Sequence, residues 1–237
     1  QINTIFNKKN ESMKEPLFED VSNLLNHEHH EKPFDDFANQ SLLPNGFSQT
    51  GPGVLWMDID NDNDQDIFIG SGAGGSLDYF RNDEGSSFTP FSVASNITKD
   101  ITAMLSTSSE NGSIGLIAAF SNMEEEKIKS SEIKSFLRSG EKKFNSIDGM
   151  IGPMSQSDID GDGDLDLFVG GRWKPNEYPK PASSIIYLNE NGNYIVDKKN
   201  LNVLKNIGMV TSSLFSDIDN DNDQDLIIAL EWGPITI

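Results

Sequence analysis

The nonapeptide Asp-Ile-Asp-Asn-Asp-Asn-Asp-Gln-Asp occurs at 58–66 and again at 217–225, and a variant, Asp-Ile-Asp-Gly-Asp-Gly-Asp-Leu-Asp, fills 158–166. Five carboxylates within nine residues repel one another strongly unless a cation lies among them. A tight loop with carboxylates at alternate positions offers hard oxygen ligands, and Ca²⁺ is the cation that suits such a set. Positions 1, 3, 5 and 9 supply the expected side-chain ligands: Asp58, Asp60, Asp62 and Asp66; Asp158, Asp160, Asp162 and Asp166; Asp217, Asp219, Asp221 and Asp225. Position 7, held by Asp64, Asp164 and Asp223, is expected to offer its main-chain carbonyl. Asn61, Asn63, Gly161, Gly163, Asn220 and Asn222 fall where the chain must turn. Asn and Gly accept positive φ most readily. Three Ca²⁺ sites are therefore expected. A solvated acidic turn without metal is the competing reading, and the mutual repulsion weighs against it.

The elements that hold these loops follow from their flanks. An EF-hand needs a carboxylate at position 12. Here position 12 is Ile69, Val169 or Ile228, within Ile-Phe-Ile-Gly, Leu-Phe-Val-Gly and Leu-Ile-Ile-Ala. These β-branched and aromatic runs predict strands on both sides of each loop, not helices.

The loops start at 58, 158 and 217, and the gap of 100 is two periods of about 50. The missing copy falls at Thr107–Gly115, where the acidic positions become Thr107, Ser109, Asn111, Ser113 and Gly115. This copy is expected to keep the strands and to lack the metal. A hairpin follows each loop: Phe80-Arg-Asn82 with Gly85 and Phe88, Tyr187-Leu-Asn189 with Gly192 and Tyr194, and more weakly Phe136-Leu-Arg138 with Gly140 and Phe144. Asn189 lies 31 residues after Asp158, whereas Asn82 lies 24 after Asp58; the insertion falls in the Pro-rich stretch Lys174–Ser183.

Each repeat is thus expected to be about four short strands, and sheets of that kind set radially form a β-propeller. The predicted class is all-β. Residues 1–16 are expected to be a flexible segment, 17–50 an ordered leader, and 51–237 about four blades of roughly 50 residues. The last blade lacks its outer hairpin. Either the segment around Leu17–Leu25 completes it, or the chain belongs to a longer protein; the second is favoured.

Composition narrows the function. The formal charge is −20, from 38 acidic and 18 basic residues, and three bound Ca²⁺ would bring it to −14. Nucleic acids and anionic membrane surfaces select basic faces, so neither is an expected partner. There is no cysteine, hence neither disulfides nor thiolate chemistry. No run approaches the roughly 18 apolar residues of a membrane helix. Ca²⁺ cages of this kind are usually loaded outside the cytosol, where the ion is abundant, so an exported protein at the cell surface, periplasm or exterior is expected; the start at Gln1 leaves room for a targeting segment already removed.

Two further constellations merit weighing. His27-Glu-His-His-Glu31 holds every histidine, but it does not match His-Glu-x-x-His, and a polar leader is favoured over a transition-metal site. Trp173 and Trp232 each lie 15 residues after the first Asp of their loop, so they occupy equivalent positions in successive repeats. With Arg172 and Tyr178 they are a candidate partner or glycan surface; burial between blades is the competing expectation.

The motif Asp-x-Asp-x-Asp-x-x-x-Asp between strands, followed by Phe-x-Gly or an equivalent, resembles the FG-GAP/VCBS repeats also found in integrin α-subunit propellers. Phe34-Asp-Asp-Phe37, Leu42-Leu-Pro44, Ser48-Gln-Thr-Gly-Pro52, Gly170-Gly-Arg172, Tyr178-Pro179, Gly208-Met-Val-Thr211 and Glu231-Trp-Gly-Pro-Ile235 extend the likeness. They resemble bacterial VCBS proteins related to cartilage acidic protein, which often carry an ASPIC/UnbV module. That group usually keeps its aspartates in the second copy, and this chain does not. The resemblance implies a secreted or surface propeller of seven or eight blades that binds a protein or glycan. The expected function is non-enzymatic binding. A Ca²⁺-dependent polysaccharide lyase or hydrolase is an alternative, with Arg172 its one weak candidate. A scaffold subunit of an outer-membrane uptake or secretion assembly is another.

Overall fold

The computed structural model describes residues 18–108, 114–125, 131–137, 140–144 and 147–237. The segment 1–16, the interior of the degenerate loop and Arg138 lie outside the described residues. The protein is built of antiparallel sheets. The first joins β1 (Val54–Met57), β2 (Asp66–Ile69), β3 (Ser76–Asp83) and β4 (Ser87–Ser95) in sequence order. The second joins β5 (Ile101–Ser108), β6 (Ile114–Phe120), β7 (Glu132–Leu137) and β8 (Gly140–Lys143) in the same way. The third joins β9 (Ile151–Ser157), β10 (Asp166–Gly171), β11 (Ile185–Glu190) and β12 (Asn193–Val196). The last pairs β13 (Met209–Ser216) with β14 (Asp225–Glu231).

Every Asp loop joins the first two strands of its sheet, so its flanks are strands and an EF-hand is ruled out. The degenerate copy keeps this frame, with Thr107 opposite Gly115 in the β5–β6 ladder. The fourth sheet has two strands plus a bridge from Ile228 to Thr236; among the described residues, 18–25 do not pair with it.

The sheets stack on one another through their apolar faces, as short sheets must to bury enough surface. Met57, Phe68 and Leu77 of the first sheet pack on Ile101, Met104, Leu116 and Phe120 of the second. Ile117, Ala119 and Ile133 on the opposite face of that second sheet pack on Met154, Leu167, Val169 and Tyr187 of the third. The third meets the fourth through Phe168, Ile186, Val210 and Ile228. The second strands of the two middle sheets are consequently covered on both sides: β6 is buried save for its first residue, and all of β10 is buried. Consecutive first strands lie beside one another, β1 against β5, β5 against β9 and β9 against β13. Gly53 N–H donates to the Ile101 carbonyl across the first junction at 2.9 Å.

The glycine that ends the second strand makes this approach feasible. A Cβ on Gly70 would lie 2.8 Å from Ile101 Cβ, and one on Gly170 would lie 2.8 Å from Val210 Cγ1. Twelve residues after the first position of the other two loops stand Ala119 and Ala229, also small. The first and third junctions therefore demand a glycine at this step.

The leader is ordered and structural. Helix α1 (Asp36–Asn39) starts at Asp35, whose carboxylate accepts from the Phe37 and Ala38 N–H groups. Buried Asp36 accepts from the N–H groups of Phe47 and Ser48 and from Ser48 Oγ at 2.7–3.1 Å. That network places Leu43 and Phe47 against Met150, Trp173 and Met209. A second short helix, α2 (Leu201–Leu204), buries Leu204 at the junction of the third and fourth sheets.

Gly170→Val should overpack the third junction and destabilise the protein by about 1–3 kcal/mol in urea unfolding. A stability equal to that of the parent would contradict the close approach of Val210.

Candidate metal centres

Each loop folds around its first aspartate. Asp58 Oδ1 accepts from the N–H groups of Asn61 and Asp62 at 2.7 and 3.2 Å, and its Oδ2 from Asn63 at 3.0 Å. Asp158 repeats this with Gly161, Asp162 and Gly163. Asp217 does so with Asp221 and Asn222. These wraps need left-handed backbone at two alternate positions. The φ values are 63° and 75° at Asn61 and Asn63, 78° and 96° at Gly161 and Gly163, and 62° and 73° at Asn220 and Asn222. Only Asn, Asp and Gly take such values at low cost.

The last aspartate is a buried anchor. Asp66 and Asp166 are fully covered. Asp66 Oδ2 accepts from the Ile59 N–H, and its Oδ1 from the Asn82 N–H at 2.8 Å in the third strand. Asp166 makes the same bonds to Ile159 and Asn189, and Asp225 accepts from Ile218. Burial pushes the Asp166 carboxyl pKa upward; the two N–H bonds oppose this, while the charges of Asp160 and Asp162 reinforce it. Asp60 is raised by desolvation and by Asp62 and Asp66. This excess of negative charge is what a bound cation relieves.

The carboxylates converge. Oxygens of Asp58, Asp60 and Asp62 lie within 4.8 Å of one another. So do those of Asp158, Asp160 and Asp166, and those of Asp217, Asp219 and Asp225. Three hard oxygen donors at such mutual distances can hold a divalent metal ion.

Two features of the loops were missed from sequence. Position 7 has a side-chain role: the Asp64 carboxylate accepts from Glu84 N–H, and Asp164 from Asn191 N–H, at 2.9 and 3.0 Å. The repeated asparagine after the third strand locks the same contact. Asn82 Nδ2 donates to the Gln65 carbonyl while its Oδ1 accepts from Gly85 N–H; Asn189 does likewise with Leu165 and Gly192. The loop is thereby tied to the outer hairpin. The recurring Asn-x-x-Gly spacing was the available signal, and it read only as a turn.

The expected tryptophan surface requires correction. Trp173 is fully buried, with its ring 4.2 Å from Phe47 and in edge contact with Tyr178 at 5.5 Å. The leader covers it, a packing that equivalent positions in two repeats could not reveal. Trp232 is 74% exposed and meets Tyr178 edge-on at 5.6 Å. Arg172 lies over the Trp173 ring at 4.8 Å and donates to Glu231 Oε2 at 2.9 Å. Tyr178 donates its hydroxyl to Glu231 Oε1, and desolvation with that bond pushes its pKa up to about 12. The inserted loop folds back through a Trp173–Pro181 bridge. Of the four named residues, Trp232 alone is widely exposed.

The three histidines make separate contacts. His27 packs edge-on against Phe80, His29 lies 3.4 Å from Glu31, and the His30 carbonyl accepts from Gly72 N–H. No helix among the described residues is long and apolar enough to cross a membrane. A scan against known protein families finds no match. No curated protein matches the chain.

Trp173→Ala should cost about 3–5 kcal/mol of stability, as for other buried large aromatics. Trp232→Ala should stay within about 0.5 kcal/mol of the parent. Paired urea titrations check both; equal effects would contradict the placement of the two rings.

Proposed function

We propose that this chain is a calcium-stabilised, non-enzymatic β-propeller of the FG-GAP/VCBS type that binds a protein or glycan outside the cytosol. The observation that carries it is the loop itself. Three times, an Asp-rich turn between the first two strands of a sheet wraps around its first carboxylate and aims three acids at one point. Asp58, Asp60, Asp62 and Asp66, with their counterparts at 158–166 and 217–225, would hold Ca²⁺ by side-chain oxygen. The ion supplies charge neutralisation and a fixed turn; the strands supply the frame.

The propeller reading is supported by the stacking of consecutive sheets and by first strands that lie side by side in chain order. The outer face of β1 leaves Val54 and Trp56 61% and 53% exposed, as a surface awaiting a further blade would. A ring of seven or eight blades would cover it. Arg172, on which an enzymatic reading would rest, is engaged with Glu231 and stacked on Trp173. This favours a structural role for it, and binding over lyase or hydrolase chemistry. Exposed Trp232 beside Tyr178 is where we place partner contact.

Calcium removal is the test. An ion that binds only the folded state adds about 2.7 kcal/mol per site at 100-fold excess over its Kd. Excess EGTA should therefore lower the melting temperature by many degrees, and Asp162→Ala should remove one bound ion per chain. A melting temperature indifferent to EGTA would remove the structural role of calcium.

For the partner surface, Trp232→Ala should abolish binding on a glycan array while leaving the ion count unchanged. Undiminished binding would place the contact elsewhere.

A further inference from the structure

A second kind of acidic site lies outside the loops. Glu31 of the leader, Asp100 at the entry to β5 and Glu124 just beyond β6 bring one carboxylate oxygen each within 4.8 Å of the others. They come from three separate segments, so no local sequence pattern unites them. The site sits at the strand ends opposite the first turn of the sheet, since Ile101 pairs with Phe120 and Thr107 with Gly115.

The cluster is not a solvated acidic surface. Asp100 is 3% exposed. Its Oδ1 accepts from Ala73 N–H at 2.7 Å, while its Oδ2 is buried with no hydrogen-bond partner. Glu124 Oε1 is also buried without a partner. Asp100 and Glu124 line a cavity of about 80 Å³, walled further by Lys32, Ala73 and Ser121. A buried carboxylate oxygen left unpaired is costly, and a polar cavity beside it is where its partner belongs.

Neighbouring cations do not supply that partner. Lys99, on the cavity wall, pairs with Glu125 at 3.2 Å and Glu132 at 3.7 Å. Lys32 lines the cavity from an exposed position, and its N–H donates to Glu31 Oε1 at 3.1 Å. Among the described residues, no lysine or arginine forms an ion pair with any of the three acids. His29 lies 3.4 Å from Glu31 Oε2, and it is the one further positive group that acts on Asp100 among the causes of its shift. Glu124 is pushed up to about 7 by burial and by the charges of Asp100 and Glu31, which outweigh the opposing charge of Lys32. Burial, and less so Glu31, also raises Asp100. The potential here is that of a hole for a positive charge.

We propose that Glu31, Asp100 and Glu124 form a further divalent-cation site for a hard ion of the Ca²⁺ class, which clasps the leader to the second sheet. The donor set is all carboxylate oxygen, which favours Ca²⁺ over thiophilic or imidazole-seeking metals. The leader already approaches closely there: Gly72 N–H donates to the His30 carbonyl, and a Cβ on Gly72 would lie 2.7 Å from Glu31 Oε1. The ion would replace the repulsion among the three acids by a shared bond. Unlike the loop sites, which pin a turn within one sheet, this site would join three segments distant in sequence.

The experiment counts bound Ca²⁺ per chain by equilibrium dialysis for the parent, Glu124→Gln and Asp162→Ala. The parent should bind one ion more than the three loops hold. Glu124→Gln should lose that one alone, and Asp162→Ala should lose a loop ion alone. The neutral Glu124→Gln should also melt higher than the parent in EGTA and lower in Ca²⁺, because repulsion and metal binding leave together. If Glu124→Gln does not fold, anomalous scattering from parent crystals grown in Ca²⁺ gives the answer, with a peak expected among the three carboxylates. A parent and a Glu124→Gln variant with equal ion counts, or no peak there, would overturn the site. The loop sites stand or fall separately, by the count lost in Asp162→Ala and by peaks at 58–66, 158–166 and 217–225.

Discussion

The concentration of carboxylates at the first turn of each sheet is the constraint on which the structure depends. The protein meets it in part with its own backbone. Amide N–H groups converge on Asp58, Asp158 and Asp217, and two more hold each of the buried Asp66 and Asp166. Each such bond sets the positive end of an amide dipole against carboxylate charge. The loop is thus shaped to hold negative charge, and its carboxylates are left pointing at a common centre. The same bonds fix the distance between the first two strands, and through Asn82 and Asn189 the position of the outer hairpin.

From those turns the stacking follows. Each sheet is too short to bury its own faces, so the faces bury each other, and the second strands of the two middle sheets become the interior of the molecule. Close stacking in turn restricts side-chain size where one sheet ends and the next begins. Gly70 and Gly170 meet Ile101 and Val210, while Ala119 and Ala229 hold the equivalent place in the other sheets. The Phe-x-Gly that follows two of the loops is therefore a packing requirement. The phenylalanine fills the junction and the glycine lets the neighbouring strand come near.

The leader changes what the outer elements can do. By laying Leu43 and Phe47 over Trp173, it turns a residue that would otherwise face solvent into part of a buried cluster. Trp173 is thereby buried while Trp232 stays exposed, although both stand at the same step of their repeats and Tyr178 meets both rings. Asp36 holds this arrangement through three bonds to residues 47 and 48, which gives the Phe34–Phe37 segment a physical purpose. Glu31 then reaches two acids at the strand ends of the second sheet from the same leader.

The sequence alone determined what is local. Aspartates at alternate positions, Asn and Gly at the turning positions and β-branched runs on either side made the loops, their flanking strands, the all-β class and the repeat legible, because each depends on neighbours a few residues apart. The degenerate copy was legible for the same reason, since Thr107 and Gly115 keep the strand pattern without the acids. Tertiary structure decided everything that depends on distant segments meeting. Position-7 aspartates reach a hairpin some 20–27 residues away, Trp173 is buried by a leader more than 100 residues upstream, and Glu31, Asp100 and Glu124 become neighbours only when three segments fold together. Burial and electrostatic coupling are properties of the packed chain; periodicity records which face a residue takes, not what will come to cover it.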